Sequence, residues 1–156
     1  MVSNHRTSLP QKNNYEINIL KEKLTMKKNI NLEDMTYEEM QNMYIKETYR
    51  GYRGVATCCI CGAKLPLAFS HDPKPVRPES WYGEKENRCC GDCNADIVLP
   101  ARMSLPFGDI LTCNILIARY RNMNHKELQA SFKSFPSMRG ANFITNARIL
   151  EVCGIK

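Results

Sequence analysis

Apolar and polar positions change their spacing three times along the chain. Residues 1–30 carry only a weak apolar stripe (Ile17, Ile19, Leu20, Leu24) in an Asn- and Lys-rich background, which predicts a loosely ordered arm. At Thr36 the pattern becomes helical. Thr36-Tyr37-Glu38-Glu39 has the spacing of a capping box, and Tyr37, Met40, Tyr44 and Ile45 then recur at helical intervals until Gly51 and Gly54. Short strand-like runs follow, at Val55-Ala56-Thr57, Ala63-Lys64-Leu65 and Leu67-Ala68-Phe69, before Pro73, Pro75 and Pro78 forbid regular structure. Asn94 to Leu99 predicts a short helix or turn that stops at Pro100. Beyond it the period is helical again. Asp109 is placed to cap Ile110 to Tyr120, whose apolar residues nearly encircle the helix. Asn124-His125-Lys126-Glu127 is a second capping box, opening a helix through Leu128 and Phe132. Phe143, Ile144, Ala147 and Leu150 predict a last helix ending at Gly154.

These elements predict an α+β protein in three stretches: an arm over 1–35, a central module over 36–100 and a helical region over 101–156. No internal repeat or Gly/Ser linker separates them.

Composition adds little to the fold and more to the function. At 43% hydrophobic and 24% charged, the 156 residues are an ordinary globular mixture. The net charge of +6 is unevenly spread: residues 1–100 hold 14 basic and 13 acidic side chains, residues 101–156 hold 8 and 3. A basic C-terminal third fits either a nucleic-acid-facing surface or a solvated one. The interleaved Tyr49, Arg50, Tyr52 and Arg53 allow the same two readings. No apolar run approaches the roughly 20 residues of a membrane span, and the polar first twenty residues do not read as a secretory leader. An intracellular setting is therefore expected, in the cytoplasm or, in a eukaryotic host, the nucleus.

The eight cysteines carry the strongest chemical signal. In a reducing compartment, paired C-x-x-C knuckles favour metal over disulfides. Cys58/Cys61 and Cys90/Cys93 have the spacing that lets both sulfurs of a knuckle reach one tetrahedral zinc. Cys59 and Cys89 fit the spacing less well, and Cys113 and Cys153 stand alone in apolar surroundings. The segment between the knuckles is poor in apolar residues, so metal is expected to replace core there. It also holds Ser70-His71-Asp72-Pro73, and Asn94 directly follows the last cysteine of the second knuckle.

Cys58-Cys59-Ile60-Cys61, His71 and Cys90-Gly91-Asp92-Cys93-Asn94-Ala95, preceded by a helix, resemble the zinc-containing HNH (His-Me finger) nucleases of the endonuclease VII type over residues 36–100. The resemblance implies a zinc-centred ββα finger of treble-clef, HNH-like form with flanking helices. It implies His71 as the general base that activates water against a DNA phosphodiester. It also implies Asn94 as a holder of a catalytic magnesium or manganese ion, and association as a homodimer. In that pattern an Asp precedes the histidine. Here Ser70 stands in its place and Asp72 follows, on the opposite face of an extended strand. Asp72 reaches such an ion only if the strand ends at His71. The alternative is a catalytically inactive zinc finger that binds DNA, or a protein partner as a regulator or adaptor, the latter through the Ile110–Tyr120 helix.

Overall fold

The computed structural model describes residues 19, 31–77, 87–104, 115 and 118–156. Most of the N-terminal stripe, the loop around Trp81, Cys113 and most of the Ile110–Tyr120 helix lie outside the described residues. Two compact units divide the chain, Met1–Glu47 and Thr48–Lys156.

In the first unit a single 3-10 turn, Leu32–Asp34, precedes helix α1, Tyr37–Gly51, which runs on past the unit's end. The capping box is formed in both directions. The Thr36 amide donates to Glu39 Oε2 at 2.7 Å, and the Glu39 amide donates to Thr36 Oγ1 at 3.2 Å. The Thr36 amide and hydroxyl hold the Glu39 carboxyl below its usual pKa. Ile45 is the buried residue of this helix, whereas Tyr37, expected on the apolar face, is 50% exposed.

The second unit is organised by two antiparallel strands, β1 (Val55–Thr57) and β2 (Lys64–Pro66), in the register Val55↔Pro66, Ala56↔Leu65, Thr57↔Lys64. The pleat turns Ala56 and Leu65 inward. The expected third strand is absent. Leu67–Phe69 forms a 3-10 turn, because the Leu67 amide pairs with Gly54 O at 2.8 Å and the Ser70 amide folds back on Leu67 O at 3.1 Å. Extended pairing survives only as one antiparallel bridge, His71 with Cys89, closed by amide–carbonyl bonds of 2.9 and 3.0 Å. The proline segment has no regular structure, yet Pro73 and Val76 are fully buried and belong to the interior.

After the second knuckle the chain is helical in three consecutive pieces: α2 (Gly91–Cys93), a π turn (Asn94–Val98) and α3 (Leu99–Met103). Pro100 does not stop this helix, contrary to the expectation. A proline ring in a regular helix clashes with the carbonyl four residues back. Here the turn before it is widened, with the Leu99 amide bonded to Asn94 O five residues back, so the ring is accommodated and buried. Ile97, Val98 and Ala101 join Leu65, Val76, Cys58, Cys90 and Cys93 in one core.

The C-terminal elements close over this core. Helix α4 (His125–Ser131) opens with the complete Asn124/Glu127 capping box, and α5 (Asn146–Cys153) runs from the Thr145 cap to Gly154, whose φ of 71° is the left-handed stop that glycine tolerates. Leu128 and Phe132 are buried, with the Phe132 ring 5.4 Å from that of Tyr120 and 6.3 Å from that of Phe135. Arg77 fastens the segment before α4 by donating to Tyr120 O at 2.8 Å and to Met123 O. Among the described residues no helix is long and apolar enough to cross a membrane.

Candidate metal centre

The first knuckle is the loop of the β1–β2 hairpin. Cys58 N donates to Ala63 O at 2.8 Å and Gly62 N to Cys58 O at 2.9 Å, which folds the loop back so that Cys58 and Cys61 face one point. Gly62 has φ of 76°, where a Cβ is strained, so glycine suits this turn. The second knuckle is a helix start. Cys90 caps α2, its sulfur accepting from Cys93 N at 3.5 Å, while Cys90 N donates to Cys58 Sγ at 3.4 Å. Amides directed at sulfur favour thiolates, as does the positive end of a helix.

The ligand atoms of Cys58, Cys61, Cys90 and Cys93 lie within 4.8 Å of one another. Four such sulfurs could hold a zinc ion. The electrostatics of the thiols agree. Hydrogen bonds from Cys90 and then Cys93 hold the Cys58 thiol far below its usual pKa. Hydrogen bonding with Cys58 in turn pushes Cys90 up to about 12 and, with Cys90 adding to it, Cys93 higher still. Hydrogen bonding within the cluster thus favours a thiolate at Cys58, the form in which a cysteine ligates zinc. Cys59 and Cys89 are outside the tetrad. Burial, then the charge on Cys58, pushes Cys59 up to about 12 and Cys89 above that, and Cys89 Sγ donates to His71 O at 3.5 Å. Both remain neutral thiols. The near-match of their spacing is resolved by the direction each side chain takes.

His71 is held at the rim of this centre by its bridge to Cys89. It is exposed, and a Cβ on Gly91, at the start of α2, would lie 3.8 Å from its Nε2. Enough protein surrounds the ring that desolvation, followed by the charges of Arg88 and Arg102, lowers its pKa below the ordinary value. The side chains beside it are engaged locally. Ser70 Oγ donates to Leu67 O at 2.8 Å and accepts from Arg88 Nε at 3.0 Å. Asp72 Oδ1 accepts from Lys74 N at 3.0 Å, and Asp72 Oδ2 lies 3.6 Å from Arg102 Nη2. Arg102 also bonds the carbonyls of Asp72 and Lys74, at 2.9 and 2.8 Å. Asn94 is half-buried at the head of the π turn, its amide bonded to Cys90 O at 2.9 Å. A guanidinium thus takes the carboxylate that a catalytic magnesium or manganese would need. The cysteine tetrad is also the one group of three or more potential ligands among the described residues. Beside His71, the Asp72 carboxylate is paired with Arg102, so the four sulfurs are the cluster that the described residues offer to a cation.

Features that the residue pattern did not flag lie on the other side of the tetrad. A cleft of about 240 Å³ is lined by Cys61, Cys90, Cys93, Asp92, Asp96, His125, Gln129, Arg139 and Asn146, with Ala63. Arg139 spans it. It bonds Asp96 through both oxygens, at 2.9 and 2.7 Å, and approaches Asp92 Oδ1 to 3.3 Å, without the geometry of a hydrogen bond. Its guanidinium also stacks 4.6 Å from the centre of the Phe143 ring. The spacing of Asp92 and Asp96, one helical turn apart, was the only local signal, and nothing local names Arg139 as their partner. A scan against protein-family models finds no match, and searches of curated proteins and of solved structures likewise find none.

Proposed function

We propose that the chain is a zinc-stabilised nucleic-acid-binding module of the HNH kind, which presents the face around His71 to a DNA backbone. The observation that carries this reading is the placement of His71. It is exposed beside a four-thiolate centre, with the guanidiniums of Arg88 and Arg102 bonded to the residues before and after it. Zinc acts as a brace. It ties the hairpin loop to the helix start, and structural zinc supplies about 10 to 16 kcal/mol in small fingers. Basic side chains then meet phosphates, and binding weakens steeply with salt.

Hydrolysis by His71 is the second reading. A histidine of lowered pKa is neutral at pH 7 and able to take a proton from water, which favours it. The engagement of Asp72 by Arg102 weighs against the magnesium-dependent form of that chemistry.

Both readings are tested together. Zinc-loaded protein is titrated with supercoiled, branched and single-stranded DNA across a salt series, with and without magnesium or manganese, beside His71→Ala and Arg88→Gln. Binding whose salt slope falls by about one charge in Arg88→Gln supports the module. Indifference to all three DNAs at low salt rejects it in favour of a protein partner. Nicking that is lost in His71→Ala establishes the second reading, and nicking equal in the variant removes it.

A further inference from the structure

Three of the four clustered thiols are sealed from solvent: Cys58 at 2%, Cys90 at 1% and Cys93 at 3% exposure. Cys61 is exposed. The cleft described above leads to it, and Asp92, Asp96 and Arg139 stand on its walls, with room for a reagent as small as a hydroperoxide. Behind it waits a second sulfur, Cys90 Sγ, at 3.8 Å from Cys61 Sγ. An accessible thiolate with a resolving thiol in reach is the arrangement of a reversible oxidation site.

We propose that Cys61 is the point at which a hydroperoxide oxidises this centre, closing a Cys61–Cys90 disulfide and releasing zinc. The inference rests on the zinc reading above. The chemistry balances in two steps. The Cys61 thiolate attacks one peroxide oxygen: an S–O bond forms, the O–O bond breaks and hydroxide leaves, giving the sulfenic acid. The Cys90 thiolate then attacks that sulfur: the S–S bond forms, the S–O bond breaks and a second hydroxide leaves. Two thiolates and one hydrogen peroxide give one disulfide and two hydroxides, with both electrons passing from sulfur to oxygen. Cys58 and Cys93 alone are too few to retain the ion. Cys59 and Cys89 take no part, because neither lines the cleft.

The test uses the full chain loaded with zinc, treated with hydrogen peroxide beside a chromogenic chelator that reports free zinc. Trypsin cuts the chain so that Cys61 lies in residues 54–64 and Cys90 in residues 89–102, and mass spectrometry of the unreduced digest locates the link. One zinc is released for each disulfide formed, and fragmentation places that disulfide between Cys61 and Cys90. A Cys61→His variant keeps a zinc ligand that peroxide does not oxidise in this way, and loses zinc at least about tenfold more slowly. A link within one knuckle or through Cys59, or equally fast release from Cys61→His, overturns the proposal. The mapping on the parent chain needs no variant. Protein purified without zinc defeats the zinc reading itself, whereas zinc-loaded protein that keeps its metal in peroxide defeats this inference alone.

Discussion

The side-chain amide of Asn146 donates to the main-chain carbonyl of Lys64 at 2.7 Å, joining the first turn of α5 to the edge of β2 across 82 positions of sequence. Asn146 is buried, at 5% exposure. Its removal takes this donor from the Lys64 carbonyl. Asn146→Ala is expected to destabilise the second unit by about 1 to 3 kcal/mol, the cost of an unsatisfied buried group. Denaturant unfolding of zinc-saturated protein measures it, and an unchanged midpoint would show that water replaces the bond.

The cysteines sort by position rather than by number. Cys58→Ala or Cys93→Ala should abolish tight zinc binding and unfold the second unit. Cys59→Ala and Cys89→Ala should keep about one zinc per chain, since both thiols lie outside the tetrad. Metal analysis after gel filtration decides, and zinc loss in Cys59→Ala would reassign the ligand set. Because the ligands must ionise, zinc affinity falls as the medium is acidified and binding releases protons.

Asp96 and Arg139 form a partly exposed pair, with side-chain exposures of 31% and 34%. The Arg139 hydrogen bonds hold the Asp96 carboxyl below its usual pKa. A carboxyl lowered in the folded state stabilises above the unfolded value, near 3.8, and that contribution is lost as pH falls through the folded value. Solvent screening limits the coupling to about 0.2 to 1 kcal/mol. A double-mutant cycle with Asp96→Asn and Arg139→Lys at pH 7 should recover it, and a cycle that closes at zero would make the pair ornamental to stability.

Two glycines near the end of α1 should respond oppositely to alanine. A Cβ on Gly54 would stand 2.5 Å from Leu67 Cδ1, whereas one on Gly51 meets nothing within 4 Å. Gly54→Ala is expected to cost about 1 to 3 kcal/mol by overpacking. Gly51→Ala should gain about 0.5 to 1 kcal/mol by restricting the unfolded chain. Thermal unfolding of the two variants compares them directly, and a stabilised Gly54→Ala would mean that Leu67 turns aside freely.

His71 should titrate below the 6.5 of an unperturbed imidazole, because desolvation and then the charges of Arg88 and Arg102 disfavour its protonated form. The sign is that of a lowered base: acidification protonates the unfolded chain first, so this residue's contribution to stability rises with pH. Proton NMR of the ring follows it. A midpoint at or above 6.5 would remove the argument that His71 is a ready proton acceptor at pH 7.

Much of the local structure was legible in residue order. Both capping boxes and the final glycine stop have the predicted partners, since each depends on atoms no more than a few residues apart. The two C-x-x-C knuckles were legible for the same reason. Leu67–Phe69 was not, because its alternation suits a strand while Gly54 O, thirteen residues earlier, takes its first amide. Pro100 was misjudged because the π turn that admits it forms within a helix packed against the core. The surroundings of His71 were half legible. Ser70 and Asp72 are its neighbours in sequence, but Arg102 reaches Asp72 from thirty residues away.

Residue order alone picks out the four clustered cysteines and the places where helices begin, because two-residue spacing and cap chemistry act within one turn of chain. Tertiary structure decided the rest: which cysteines stay neutral, which carboxylates are taken by arginine, and which sulfur faces solvent. Each of those depends on the direction of a side chain and on the charge and water around it, and these are set only when distant segments pack together.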